Sequence, residues 1–251
     1  NLFADEDLTM IKQGNRQQFG AQVSGGSEIL TYFVSGTLQN ETGPFGMPAY
    51  DQRRFDSLGV AVDDKWNRPN ALRQASFRNN LRAQINSKLD LTVSTGYIKL
   101  DQRLPQVDNN VNSFWYNGET GCGYVKGPGC TGTGSLGQSL MGWAGFTPAE
   151  MFQYTTTEGI QRFIGSGNGN WRPLSWLAAR GDMGLDLTDR VGYQLCRLQQ
   201  CSDFGTNRLG FATDSRANTR NFSASLGSDA TWQLRNSLGF KTSVGAQYNN
   251  Y

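Results

Sequence analysis

The most reactive side chains in this sequence are four cysteines. Cys122 and Cys130 bracket CGYVKGPGC, and Cys196 and Cys201 bracket CRLQQC. Neither pair has the Cys-x-x-Cys spacing of a zinc knuckle or a redox site, and the chain has no His to complete a mixed metal site. The spacing predicts two local disulfides, each closing a short loop, in an oxidising compartment such as the periplasm or the cell exterior. Four reduced, buried thiols in a cytosolic protein are the alternative. The lack of His also removes the commonest general base. A Ser or Cys nucleophile would need a Lys or carboxylate base, and no Ser occupies a nucleophile-elbow pattern. Asp5, Glu6 and Asp7, with Asp63 and Asp64, lack the spaced ligands of a calcium loop and read as solvated loop charge. Asp108, Asn109 and Asn110 fit Asx turns equally well. The expectation is a protein without enzyme activity, cofactor or bound metal.

Binding chemistry concentrates in residues 102–157, which hold Phe114, Trp115, Tyr116, Tyr124, Trp143, Phe146, Phe152 and Tyr154. Exposed rings of this kind stack on sugar faces or peptide side chains, and a disulfide would reduce the ordering entropy of binding. Most of them are expected to pack the loop against itself. Trp115 and Tyr116, with Trp143, are the candidates for contact with a ligand or a covering partner.

The elements that must carry this loop are read from periodicity. The 251 residues are 37% hydrophobic and 12% aromatic, with a net charge of +2. No apolar run approaches the roughly 20 residues of a spanning helix, which excludes a helical membrane protein. The aromatic content argues against disorder. Near balance of 23 Lys and Arg with 21 Asp and Glu leaves no basic footprint for nucleic acid. Asn1 opens a polar stretch with no signal-peptide pattern, and both ends read as cut from a longer chain.

Alternation with period two dominates. Leu30, Tyr32, Val34, Gly36 and Leu38 share one face, as do Leu89, Leu91, Val93 and Tyr97. A run of alternating residues from Trp232 to Tyr248 looks like one long strand. Four hairpins are predicted, near 16–41, 74–101, 158–188 and 217–249, with turns at GGSE (25–28), NSKL (86–89), RPLS (172–175) and SDA (228–230). Between them lie connections 42–73, 102–157 and 189–216. Short turns at one end and long loops at the other describe an antiparallel transmembrane β-barrel. Trp171, Trp176 and Trp232 flank the tight turns, where an interfacial aromatic girdle belongs; core packing is the other reading. Arg78, Arg82, Arg180 and Arg235 fall on the polar, lumenal face, with Asp182 and Asp186 as expected partners. Eight strands either close on themselves or need further strands, because open edges are not viable in lipid.

The order of three segments is similar to the barrel of SusC/RagA-type TonB-linked outer-membrane proteins. These are QFGAQVSGGSEILTYFVSGTLQNETG (18–43), SFRNNLRAQINSKLDLTVSTGY (76–97) and GIQRFIGSGNGNWRPLSWLAARGDMGLDLTDR (159–190). The resemblance implies an all-β fold, with about eight strands here from a 22-stranded barrel. It also implies import of glycans, peptides or similar solutes, energised by TonB, beneath a SusD-like surface lipoprotein lid. The chain would reside in lipid of the cell outer membrane with 42–73, 102–157 and 189–216 extracellular. The family's plug domain has no counterpart in these residues. A structural or adhesive barrel with disulfide-stapled loops that bind a partner is the alternative, and a soluble β-sandwich binding module is a third.

Overall fold

The computed structural model of the chain describes residues 2–108, 110–123, 132–235 and 238–250. Eight strands form one antiparallel sheet: β1 Asn15–Gly26, β2 Leu30–Thr42, β3 Ala71–Asn86, β4 Leu89–Arg103, β5 Thr155–Leu174, β6 Leu177–Cys196, β7 Phe211–Arg235 and β8 Leu238–Asn250. Each strand pairs with its sequence neighbours in the order β1 to β8. β1 and β8 do not pair with each other, so the sheet is an open wall.

Residues paired directly across strands present their side chains to the same side of a sheet. One row of pairs therefore reads Thr31, Arg82, Thr92, Asn168, Asp182, Ser225, Gln247 from β2 to β8. The adjacent row, on the opposite side, reads Gly25, Tyr32, Leu81, Val93, Gly167, Met183, Ala224, Tyr248. One side is hydrophilic across seven strands and the other apolar across eight. Gly25 has a steric role in its row, since a Cβ there would meet the Tyr32 hydroxyl at 2.8 Å.

The fourth turn differs from expectation. β7 continues through Ser228, Asp229 and Ala230, and the chain reverses only between Arg235 and Leu238. Asp229 lies on the polar side within the strand, accepting from Ser243 Oγ at 2.5 Å beside Lys241 Nζ at 3.7 Å. Polar turn formers are placed there by their hydrogen bonds. The run from Trp232 to Tyr248 thus spans two strands. A register shift between Gln233 and Arg235 keeps even-numbered residues on the apolar side of both, so the alternation passes through the reversal unbroken.

The sheet buries little, and the hydrophobic core lies among the long connections. Four short helices interrupt them: α1 Ala49–Ser57, α2 Asp64–Asn67, α3 Phe114–Glu119 and α4 Pro148–Met151. Leu2, Leu8, Met10, Met47, Phe55, Trp66, Phe114, Trp143, Ala149, Met151 and Phe152 cluster there. The connections fold on one another and on residues 2–12 as a compact cap at the end of the wall opposite the tight turns. None of the described helices is long and apolar enough to cross a membrane, a statement that does not bear on strands.

Candidate functional site

The cap is held by a buried ionic cluster. Arg54 on α1 donates to Glu150 on α4 at 2.7 Å and lies 3.5 Å from Asp51. Glu150 Oε2 accepts the Thr147 backbone N–H at 2.7 Å, and Asp51 Oδ2 accepts the Ala149 N–H at 3.1 Å. Asp51 therefore satisfies an orphan amide at the start of α4 across a gap of nearly a hundred residues in sequence. Burial, reinforced by the charge of Glu150, pushes the Asp51 carboxyl up to about 7, against the opposing pull of Arg54. The Thr147-x-x-Glu150 spacing is a helix-start signature that sequence reasoning missed.

A second hub is Asn117, buried on α3. Its Nδ2 donates to the carbonyls of Val111 (2.7 Å) and Ser113 (2.8 Å). Its Oδ1 accepts the N–H groups of Gly145 (3.0 Å) and Phe146 (3.1 Å). One amide thus ties residues 111–113 to residues 145–146 within the 102–157 connection. The third connection is tied in by Gln153, whose Oε1 accepts the Cys201 N–H at 2.5 Å, and by Ser202 Oγ donating to Asn112 Oδ1 at 2.5 Å. Arg53 pairs with Asp7 at 3.0 Å, linking the N-terminal segment to α1.

Cys196 and Cys201 form a disulfide, Cα to Cα 6.1 Å, buried against Tyr154 and Phe211. Cys122 is at the surface, while Cys130 lies outside the described residues. The loop aromatics divide. Trp143 is 3% exposed, edge-on to Phe3 at 5.9 Å, and so belongs to the core of the cap. Trp115 is 39% exposed, resting on Phe3 and Phe114 with its outer surface in solvent. Tyr116 beside it is partly exposed, and Ser113 Oγ accepts its N–H at 3.1 Å as the N-cap of α3.

At the other end of the wall Trp171, Trp176 and Trp232 are all exposed. Trp176 and Trp232 meet edge-to-face at 6.3 Å, held by a hydrogen bond from Thr231 N–H to the Trp176 carbonyl at 2.7 Å. Trp171 sits one hairpin strand away, opposite Leu89 and Ala179 on the apolar side.

The polar side is densely bonded. Arg162 makes a bidentate pair with Asp186, at 3.0 and 2.6 Å. Arg180 lies 3.5 Å from Asp182, which also accepts from Asn168 and from Ser225 Oγ at 3.1 Å. Arg190 pairs with Glu158, which also accepts from Gln102 at 2.7 Å. Asp186 is therefore taken by Arg162, a partner not anticipated. Arg78 and Arg82 are on the polar side and exposed, whereas Arg235, past the register shift, is exposed and paired with Leu238. Among the described residues no group of three or more His, Cys, Asp or Glu is placed to hold a metal.

No protein-family model and no curated protein matches the chain. Solved structures do. The chain is similar to one described as the RagAB peptide transporter, with a TM-score of 0.62 and 14% identity over 95% of this chain and 24% of that one. It is similar also to the RagAB peptide importer in a closed-closed state (TM-score 0.61) and an open-open state (0.59), at the same identity and coverage. The chain spans about a quarter of the length of the chains it matches. Its fold is that of a segment of the SusC/RagA-type barrel wall, the architecture that the three sequence segments resemble.

Proposed function

We propose that this chain is part of an outer-membrane barrel that imports nutrients with energy from TonB. The observation that carries this reading is the pair of adjacent rows, one hydrophilic across seven strands and the other, on the opposite side, apolar across eight. A soluble two-sheet sandwich would cover its apolar side with a second sheet, and none of the described strands does so. Along β6 the apolar positions run from Leu177 to Leu187 before Asp189. That is about 33 Å of strand, which at a tilt near 40° spans about 25 Å, the height of an outer-membrane apolar band. The exposed tryptophans at the turn end supply its inner girdle, and the cap stands outside the cell. The polar side, with its paired arginines, lines the lumen and takes no catalytic part.

The solute is a peptide, glycan or similar nutrient, and a SusD-like lipoprotein covers the cap. Trp115 and Tyr116 are the contacts proposed for solute or lid. The test is uptake by cells whose full-length protein carries Trp115→Ala and Tyr116→Ala, alongside pull-down of the surface lipoprotein. Reduced uptake or lost pull-down is expected, and uptake by the unaltered protein should depend on TonB. Uptake that is independent of TonB, with lid association intact, would instead favour a structural or adhesive barrel.

A further inference from the structure

The apolar side of the wall changes character toward the cap. Its rows there read Phe19, Leu38, Ala75, Lys99, Gln161, Asp189 and then Gln17, Asn40, Arg73, Asp101. Arg73 and Lys99 therefore project from the apolar side, Lys99 in the row of Phe19 and Leu38, one step beyond Phe77, and Arg73 one row further. Two adjoining grooves, of about 380 and 750 Å³, open at this boundary. The first is floored by Phe19, Leu38 and Ala75 and rimmed by Arg73 and Lys99. The second continues past Arg68 and Arg103 beneath the cap.

These cations differ from three of the polar-side arginines, although Arg78 and Arg82 on that side are also without an ion pair. There, Arg162, Arg180 and Arg190 each face a carboxylate within 4 Å. Among the described residues Arg68, Arg73, Lys99 and Arg103 form no ion pair. Arg103 donates to the Arg68 carbonyl at 2.6 Å, and its Nε has no partner. Asp101 and Asp189 are the carboxylates on the apolar side of the strands that line the grooves, while Glu41 and Glu158 line the second groove from the polar side and Asp63 lies near enough to attract Arg103. Exposed guanidinium and ammonium groups directly above exposed Phe and Leu match an anionic head on an apolar tail.

We infer that this boundary binds a phosphorylated, acylated lipid of the leaflet surrounding the barrel. Its phosphate sits among Arg73, Lys99 and Arg103, and its acyl chains lie over Phe19, Leu38 and Phe77. The inference rests on the membrane-barrel reading. A free phosphate would use the cations alone, whereas a lipid needs both halves of the site.

The test is native mass spectrometry of the full-length protein in detergent, titrated with lipid A, with neutral phosphatidylcholine and with inorganic phosphate. The variants are Arg73→Ala/Lys99→Ala and, as a control on the polar side, Arg78→Gln/Arg82→Gln. Lipid A should bind in preference to phosphatidylcholine, and the first variant should lose about tenfold or more of that affinity, at roughly 1 kcal/mol per cation near a membrane surface. The control should retain it. Equal lipid A binding by both variants, equal binding of the neutral lipid, or competition by inorganic phosphate at similar affinity would overturn the site. Protein that partitions into the aqueous phase rather than detergent would overturn the barrel reading itself, which separates the two failures.

Discussion

Asn117 and Asp51 each hold the cap through bonds that a neighbouring residue type could not make. Asn117 uses both donors and both lone pairs of one amide, and the groups it satisfies belong to buried or partly buried backbone. Asn117→Ala leaves two N–H groups without acceptors, a cost of about 2–4 kcal/mol to the local stability of the cap. Hydrogen exchange at Gly145 and Phe146 should rise sharply while the strands remain protected. Asp51 makes the cap sensitive to pH. Its carboxyl is raised from 3.8 to about 7, so the folded cap holds a proton that the unfolded segment releases. Stability from this group is full below the ordinary carboxylate range and is lost as pH rises from about 4 through 7. Exchange protection of α1 and α4, corrected for intrinsic rates, should fall between pH 5 and 8. Asp51→Asn should flatten that profile, and a wild-type profile already flat would remove the assignment.

At the scale of elements, the strands were legible because one side of each is apolar and the other polar, which imposes period two on the sequence. The fourth turn was not legible. Its register shift preserves parity across the reversal, and the Ser228-Asp229 pair imitates a turn, although Asp229 bonds to Ser243 and Lys241 and Ser228 donates to the Ala178 carbonyl. The cap was read as loop because α1 to α4 are too short to show a helical period. Its ionic cluster joins residues far apart in sequence, and no local pattern announces Asp51. The tryptophans divide by element in a way that a depth measurement can read. Trp171, Trp176 and Trp232 are exposed beside tight turns, whereas Trp66 and Trp143 are buried in the cap. In single-tryptophan variants reconstituted with lipids brominated near the headgroups, the first three should be quenched and the last two spared. Equal quenching of Trp143 and Trp232 would mean that turns and cap are not separated by a bilayer.

For the whole molecule the decisive feature is that the wall is open. β1 and β8 each pair on one side only, and both are exposed along their full length. Unpaired backbone groups in hydrocarbon cost several kcal/mol each, so two free edges are incompatible with residence in lipid unless other strands complete the ring. The open sheet is consistent with the chain's match to about a quarter of a larger chain. The cap, by contrast, has its own buried core and does not depend on closure. Residues 1–251 refolded alone in detergent should therefore keep a protected cap yet associate through their edges into oligomers of mixed size. Light scattering after size exclusion measures that directly, and hydrogen exchange gives the matching local reading, with β1 and β8 amides fast and those of β4 to β6 slow. A monodisperse monomer with β1 and β8 protected would show that the eight strands can close on one another, and would exclude the larger ring as a condition of folding.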